Sequence, residues 1–171
     1  MIIQTYISSY QRLGYLEDIS VSHPSDYSAL TDFAIGPKAG EIDLTREYGT
    51  GVITCANAVC LIVRARGASA GDTLTQDLYG RVDGGPVQKI ARIVWQFGAA
   101  RADGDETSDY LWAETATVES FHPTGIAVCG STGDSKVGSV LFDAVGYRYL
   151  SSLFTDYTGS LTEVECLYRV Y

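Results

Sequence analysis

From about position 50 onward, hydrophobic and polar side chains alternate with a period of two, the repeat expected of a strand with one buried face. In Val59-Cys60-Leu61-Ile62-Val63-Arg64-Ala65-Arg66, one face carries Val59, Leu61, Val63 and Ala65, while the other turns polar at Arg64 and Arg66. This predicts a strand buried on both sides at its start and on one side at its end. Gly67-Ala68-Ser69-Ala70-Gly71-Asp72 reads as a turn. Next, Leu74, Gln76, Leu78, Gly80 and Val82 alternate with Thr75, Asp77, Tyr79, Arg81 and Asp83, and Asp83-Gly84-Gly85-Pro86 closes a second strand. Ala91, Ile93, Trp95 and Phe97 share one face of a third. Further strands are predicted at 110–121, 126–129, 140–142 and 147–154, and a last one places Val164, Cys166, Tyr168 and Val170 on one face.

Short strands at this spacing, separated by Gly-rich turns, define an all-β class: a β-sandwich or jelly-roll-like single domain over 36–171. Residues 1–35 differ. They show little alternation and carry Tyr6, Tyr10, Tyr15 and Tyr27 among scattered serines. This segment reads as an irregular N-terminal arm, or as an edge strand plus a surface connection. As an arm it would reach a neighbouring subunit through those four tyrosines, because Tyr buries a large area with few rotors to freeze. One brief helix is expected at 26–33, capped by Ser25.

Composition narrows the function classes. With 171 residues the chain is long enough to bury a full core without disulfides or metals. A net charge of −9, with no Lys/Arg cluster, argues against direct nucleic-acid binding, which needs basic groups to displace counterions. No segment has the length and apolarity of a membrane span, and the start lacks the pattern of an export signal. Cys55, Cys60, Cys129 and Cys166 form no C-x-x-C and are expected to be reduced, buried thiols; a Cys55–Cys60 bridge is the alternative.

Three motifs point weakly to chemistry. Gly67-Ala68-Ser69-Ala70-Gly71 matches the G-x-S-x-G nucleophile elbow, but that device needs a helix after the serine and a histidine base. Here a strand is predicted to follow, and the two histidines, His23 and His122, have no acidic partner pattern. Gly133-Asp134-Ser135 is better read as loop chemistry. Asp103, Asp105 and Asp109, with Thr107 between and Glu114 beyond, approximate the oxygen ligands of a calcium loop, which hard cations favour. The position that such loops fill with glycine holds Ser108, so a solvated acidic loop is the expectation. Glu114, Glu119, Glu163 and Glu165 sit on strands and are expected to face solvent, where they discourage edge-to-edge aggregation. Trp95 is expected in the core, and Trp112 is a candidate sugar-stacking platform. The expectation is a non-enzymatic protein without a cofactor.

Two stretches resemble small structural proteins of tailed bacteriophages. One is Glu41-Ile42-Asp43-Leu44-Thr45-Arg46-Glu47-Tyr48-Gly49-Thr50-Gly51 followed by the strand of Leu61-Ile62-Val63. The other is Ala144-Val145-Gly146-Tyr147-Arg148-Tyr149-Leu150, then Thr158-Gly159-Ser160 and a final strand. Capsid decoration and cement proteins have similar segments. The resemblance implies a virion component, assembled in the host cytoplasm, that binds the major capsid protein on the outer shell. It also implies a homo-oligomer, a dimer or trimer. A receptor- or carbohydrate-binding domain of a tail fibre, or another tail or neck protein, is the alternative.

Overall fold

The fold is given by a computed structural model, which describes residues 11–16, 35–36, 41–47, 53–101, 110–129 and 137–171. Among these the chain is all-β and contains no helix. The helix expected at 26–33 lies outside the described residues. Ten strands form one antiparallel sheet, and two more form a separate pair. The sheet strands are β1 (Gln11–Leu16), β2 (Ile42–Asp43), β5 (Ala58–Arg66), β6 (Thr73–Arg81), β7 (Gln88–Arg101), β8 (Tyr110–Ser120), β9 (Ile126–Cys129), β10 (Ser139–Asp143), β11 (Tyr149–Tyr157) and β12 (Glu163–Val170). The small pair is β3 (Thr45–Glu47) with β4 (Ile53–Cys55).

Strand β5 organises the sheet. One of its edges runs with β12 along its whole length, from Glu163↔Arg66 to Val170↔Val59. Its other edge is divided: β10 takes Ala58 to Leu61, and β8 takes Arg64 to Arg66. From β8 the sheet continues through β7, β6 and β11 to β2, while β1 extends it beyond β12. The sheet also curls, so that β1 lies beside β11. Bulges at Leu78/Tyr79, Gln96/Phe97 and Phe154/Asp156 contribute to the curl, since an extra residue in one strand bends it and raises its twist.

Because the sheet wraps on itself, alternate residues of each long strand meet in one core. Val59, Leu61, Val63 and Ala65 of β5 join Leu74 and Leu78 of β6, and Ile93, Trp95 and Phe97 of β7. Phe142 of β10, Leu150 and Phe154 of β11, and Val164 and Cys166 of β12 complete it. Each large apolar side chain removed from water here contributes about 1.5–3 kcal/mol. The facing layers expected from the alternation are thus parts of one continuous sheet. The turns follow their sequence: Gly67 takes φ 72°, and a Cβ at that position would approach the Ser160 carbonyl oxygen to 2.6 Å.

Candidate interaction surface

Three polar or apolar clusters decorate this roll. The first fastens residues 35–36 and 41–47 to it. Ile42 and Asp43 pair with Leu150 and Tyr149 of β11, and the Leu44 amide donates to the Arg148 carbonyl at 2.7 Å. Beside them Arg81 grips Glu41 with both arms of its fork, Nε to Oε1 at 2.7 Å and Nη2 to Oε2 at 2.6 Å. Nη2 also donates to the Gly36 carbonyl at 2.5 Å, and the Gly36 amide donates to Asp83 at 2.8 Å. The Arg81 guanidinium lies 4.3 Å from the centre of the Tyr149 ring, and that of Arg148 lies 5.2 Å away. The hydrogen bond to Glu41 holds the Arg81 pKa above its ordinary value. Burial alone would raise the Asp43 carboxyl, but hydrogen bonds from Thr45 and the Arg148 charge bring it below the usual range. These charges are spent on each other, and the arrangement acts as a clamp.

The second cluster lies on the outer face of β5, β8 and β12. Ile62 and Trp112 are buried there, with Tyr110, Val137 and Leu167 packed against them. Arg64 donates from Nε to Glu165 at 2.6 Å and stands over the rings of Tyr110 at 4.8 Å and Trp112 at 5.6 Å. Arg66 pairs with Glu163 at 3.4 Å, and the Tyr110 hydroxyl donates to the same carboxylate. Glu165 therefore lies on the face away from the core, as its alternation predicts, but is buried there instead of meeting solvent. On β6 and β7, Asp77 is likewise buried and receives Lys89 Nζ at 2.8 Å and Arg92 Nε at 2.8 Å. Burial pushes its carboxyl up, but the bonds from Arg92 and Lys89 outweigh this and leave its pKa lowered.

The third is an open groove of about 750 Å³ across β9, β10 and the start of β5. Ala58, Ala127, Leu141 and Val145 supply its apolar lining, with Asn57, Thr124 and Asp143 as polar neighbours. Val145 is 64% exposed and Val128, on β9, is 42% exposed. Tyr171 stands near the groove: its carbonyl accepts from the Asn57 amide at 2.8 Å, and its amide donates to Ala58 at 2.9 Å. Buried His122 braces one rim. The Thr124 amide donates to its Nδ1 at 3.2 Å. The ring packs 5.4 Å from that of Tyr147 and 6.2 Å from that of Phe142. An apolar surface this open suits a contact with another macromolecule better than enclosure of a small molecule.

Of the residues singled out in the sequence, Tyr15 lies on β1, opposite Glu165. Tyr6, Tyr10, Tyr27, Asp103, Asp105 and Asp109 lie outside the described residues, as do His23 and Gly133-Asp134-Ser135. Ser69 sits in a hairpin between β5 and β6, where its amide donates to Asp72 at 2.8 Å; the chain leaves the turn as a strand, not as the helix an elbow requires. Trp95 is in the core and donates to Gln76 Oε1 at 2.9 Å. Trp112 is only 8% exposed, so its ring is not an open platform for a sugar. Cys60 and Cys166 are buried thiols, while the side chains of Cys55 and Cys129 lie outside the described ones. Neither the clamp nor the groove was read from the sequence. Glu41 and Arg81 lie far apart in the chain, and the groove joins short segments from three places.

Comparison with family models, curated proteins and solved structures finds no match to this chain.

Proposed function

We propose that this protein is a structural component of a tailed-phage virion, binding the major capsid protein on the outer shell as a decoration or cement protein. The observation that carries the reading is the open groove beside exposed Val145 and Val128. It offers a non-enclosing apolar contact on a unit held rigid by a single core. The resemblance of 41–51 and 144–150 to such proteins supports the same reading, and Val145 belongs both to that second segment and to the groove. A net charge of −9 favours a partner surface that sets basic groups around an apolar ridge. A protein that binds the assembled shell better than its dissociated subunits stabilises the assembly by mass action.

The test is co-sedimentation of the purified protein with undecorated capsid shells. Saturable binding, with a dissociation constant raised tenfold or more in Val145→Asp and a higher disruption temperature for decorated shells, is the expected result. Shells that take up none of the folded protein would overturn the proposal. Glycan-array binding in their place would move the protein to a tail-fibre role.

A further inference from the structure

The curled sheet has an asymmetric seam. On one side, β12 is held to β5 by eight consecutive residue pairs and is therefore integral to the roll. On the other, β1 is attached to β12 through a shorter ladder, Gln11↔Tyr168 to Leu16↔Val164, interrupted by a register shift between Arg12 and Gly14. Strand β1 lies beside β11 but, among the described residues, pairs with β12 alone. Removing β1 breaks one ladder and leaves the rest of the sheet bonded as before. It also bares the outer edge of β12, whose amides and carbonyls then require another strand, since an unpaired edge is a template for one.

We propose that β1 is an exchangeable strand: Gln11–Leu16 of one copy pairs with β12 of a second copy, in the register it uses within its own chain, and so links copies of this protein. The partner is a second copy because the strand that fits the vacated edge, in sequence and register, is β1 itself. Exchange of an identical element costs little, since every bond lost at home is remade abroad.

The connection permits it. The clamp holds Gly36 itself, through the bonds of Arg81 and Asp83 to its backbone. Between Leu16 and Ile35 lie 18 residues. Their extended reach is up to about 60 Å, at ~3.3 Å per residue. A compact domain of 171 residues has a radius of gyration of about 16 Å. The link can therefore pass from one roll to a neighbour in contact with it. A link of this length confers an effective concentration on the order of millimolar on the home strand. Dilute protein thus keeps β1 at home, and exchange emerges as copies are crowded together. The inference does not depend on which surface the assembled copies decorate.

Arg12 and Leu167 are directly paired between β1 and β12, which makes them a reporter. The full chain carrying Arg12→Cys and Leu167→Cys is prepared in heavy- and light-isotope forms, with each single variant as control. Oxidised at micromolar concentration, it should form the 12–167 disulfide within chains. Mixed near millimolar concentration before oxidation, it should give heavy–light 12–167 peptides by mass spectrometry, approaching half of all those formed. Peptides that remain purely heavy–heavy and light–light at every concentration would overturn the proposal. A second measurement avoids reliance on oxidation in the crowded state. The chain locked by its own 12–167 disulfide at high dilution, then concentrated, should stay monomeric by native mass spectrometry while the unmodified chain forms dimers. Dimerisation of the locked form to the same extent would equally refute exchange.

Discussion

At Arg81 a full positive charge sits where 1% of the side chain meets solvent, and the Glu41 side chain opposite is 2% exposed. A buried pair of this kind contributes little net stability, because desolvation offsets the attraction, yet losing one partner strands the other. Arg81→Met should therefore cost about 3–5 kcal/mol, read from urea unfolding. Arg81→Met with Glu41→Leu should recover most of that loss; a double variant as unstable as the single would mean that the clamp works through packing on Tyr149 instead. Cys166 gives a second residue-scale expectation. Burial pushes its thiol up to about 12, so at pH 8 it is protonated and shielded, and thiol reagents should modify it only through unfolding. Asp77 gives a third. Its folded pKa lies below the unfolded value, so its contribution to stability is present above the unfolded carboxylate range and is lost as pH falls through the folded pKa. Unfolding free energies measured between pH 7 and pH 2 should fall less steeply on the acid side for Asp77→Asn than for the unaltered chain.

Legibility at the level of elements followed from how each strand is buried. Strands β5, β6, β7 and β12 have one face in the common core, so their alternation was visible as a period of two. Strands β2, β3 and β4 are two or three residues long, too short for any period to register. The outer face of β5 and β12 misled in a different way. Arg64 and Glu165 look like solvent-facing residues in isolation, but they are paired across adjacent strands and Arg64 stands over Trp112, which no local pattern reveals. Gly138, where the chain enters β10, shows the same limit. Its amide donates to Ala113 at 2.8 Å, and a Cβ there would run into the backbone carbonyl of Glu114. Backbone cannot swing aside as a side chain can. Gly138→Ala should therefore cost about 1–3 kcal/mol, the usual range for overpacking. Gly98 is the contrasting case, because a methyl group there meets the Glu114 side chain. Gly98→Ala should consequently be milder, and equal thermal shifts for the two variants would show that the approach of β10 to β8 is not constrained as described.

Across the whole molecule, stability is distributed by how many neighbours each strand has. Strand β7 is bonded on both sides, to β6 and β8, and its Ile93, Trp95 and Phe97 side chains lie in the core. Its amides can open only when the roll as a whole comes apart. Strand β1 is joined to a partner about 150 positions away in the chain, and a pairing of such long range returns no local contacts for the entropy of closing the loop. Amide groups at such margins exchange through local opening, at a free-energy cost well below the global one. Native-state hydrogen exchange should thus find the β1 amides at least a hundredfold less protected than those of Ile93 and Trp95. Added denaturant should accelerate β7 steeply and β1 only slightly, because the local opening exposes little surface. Equal protection and equal denaturant sensitivity in the two strands would mean that β1 closes the roll as an integral stave, and that the seam beside β11 is a true closure of the sheet.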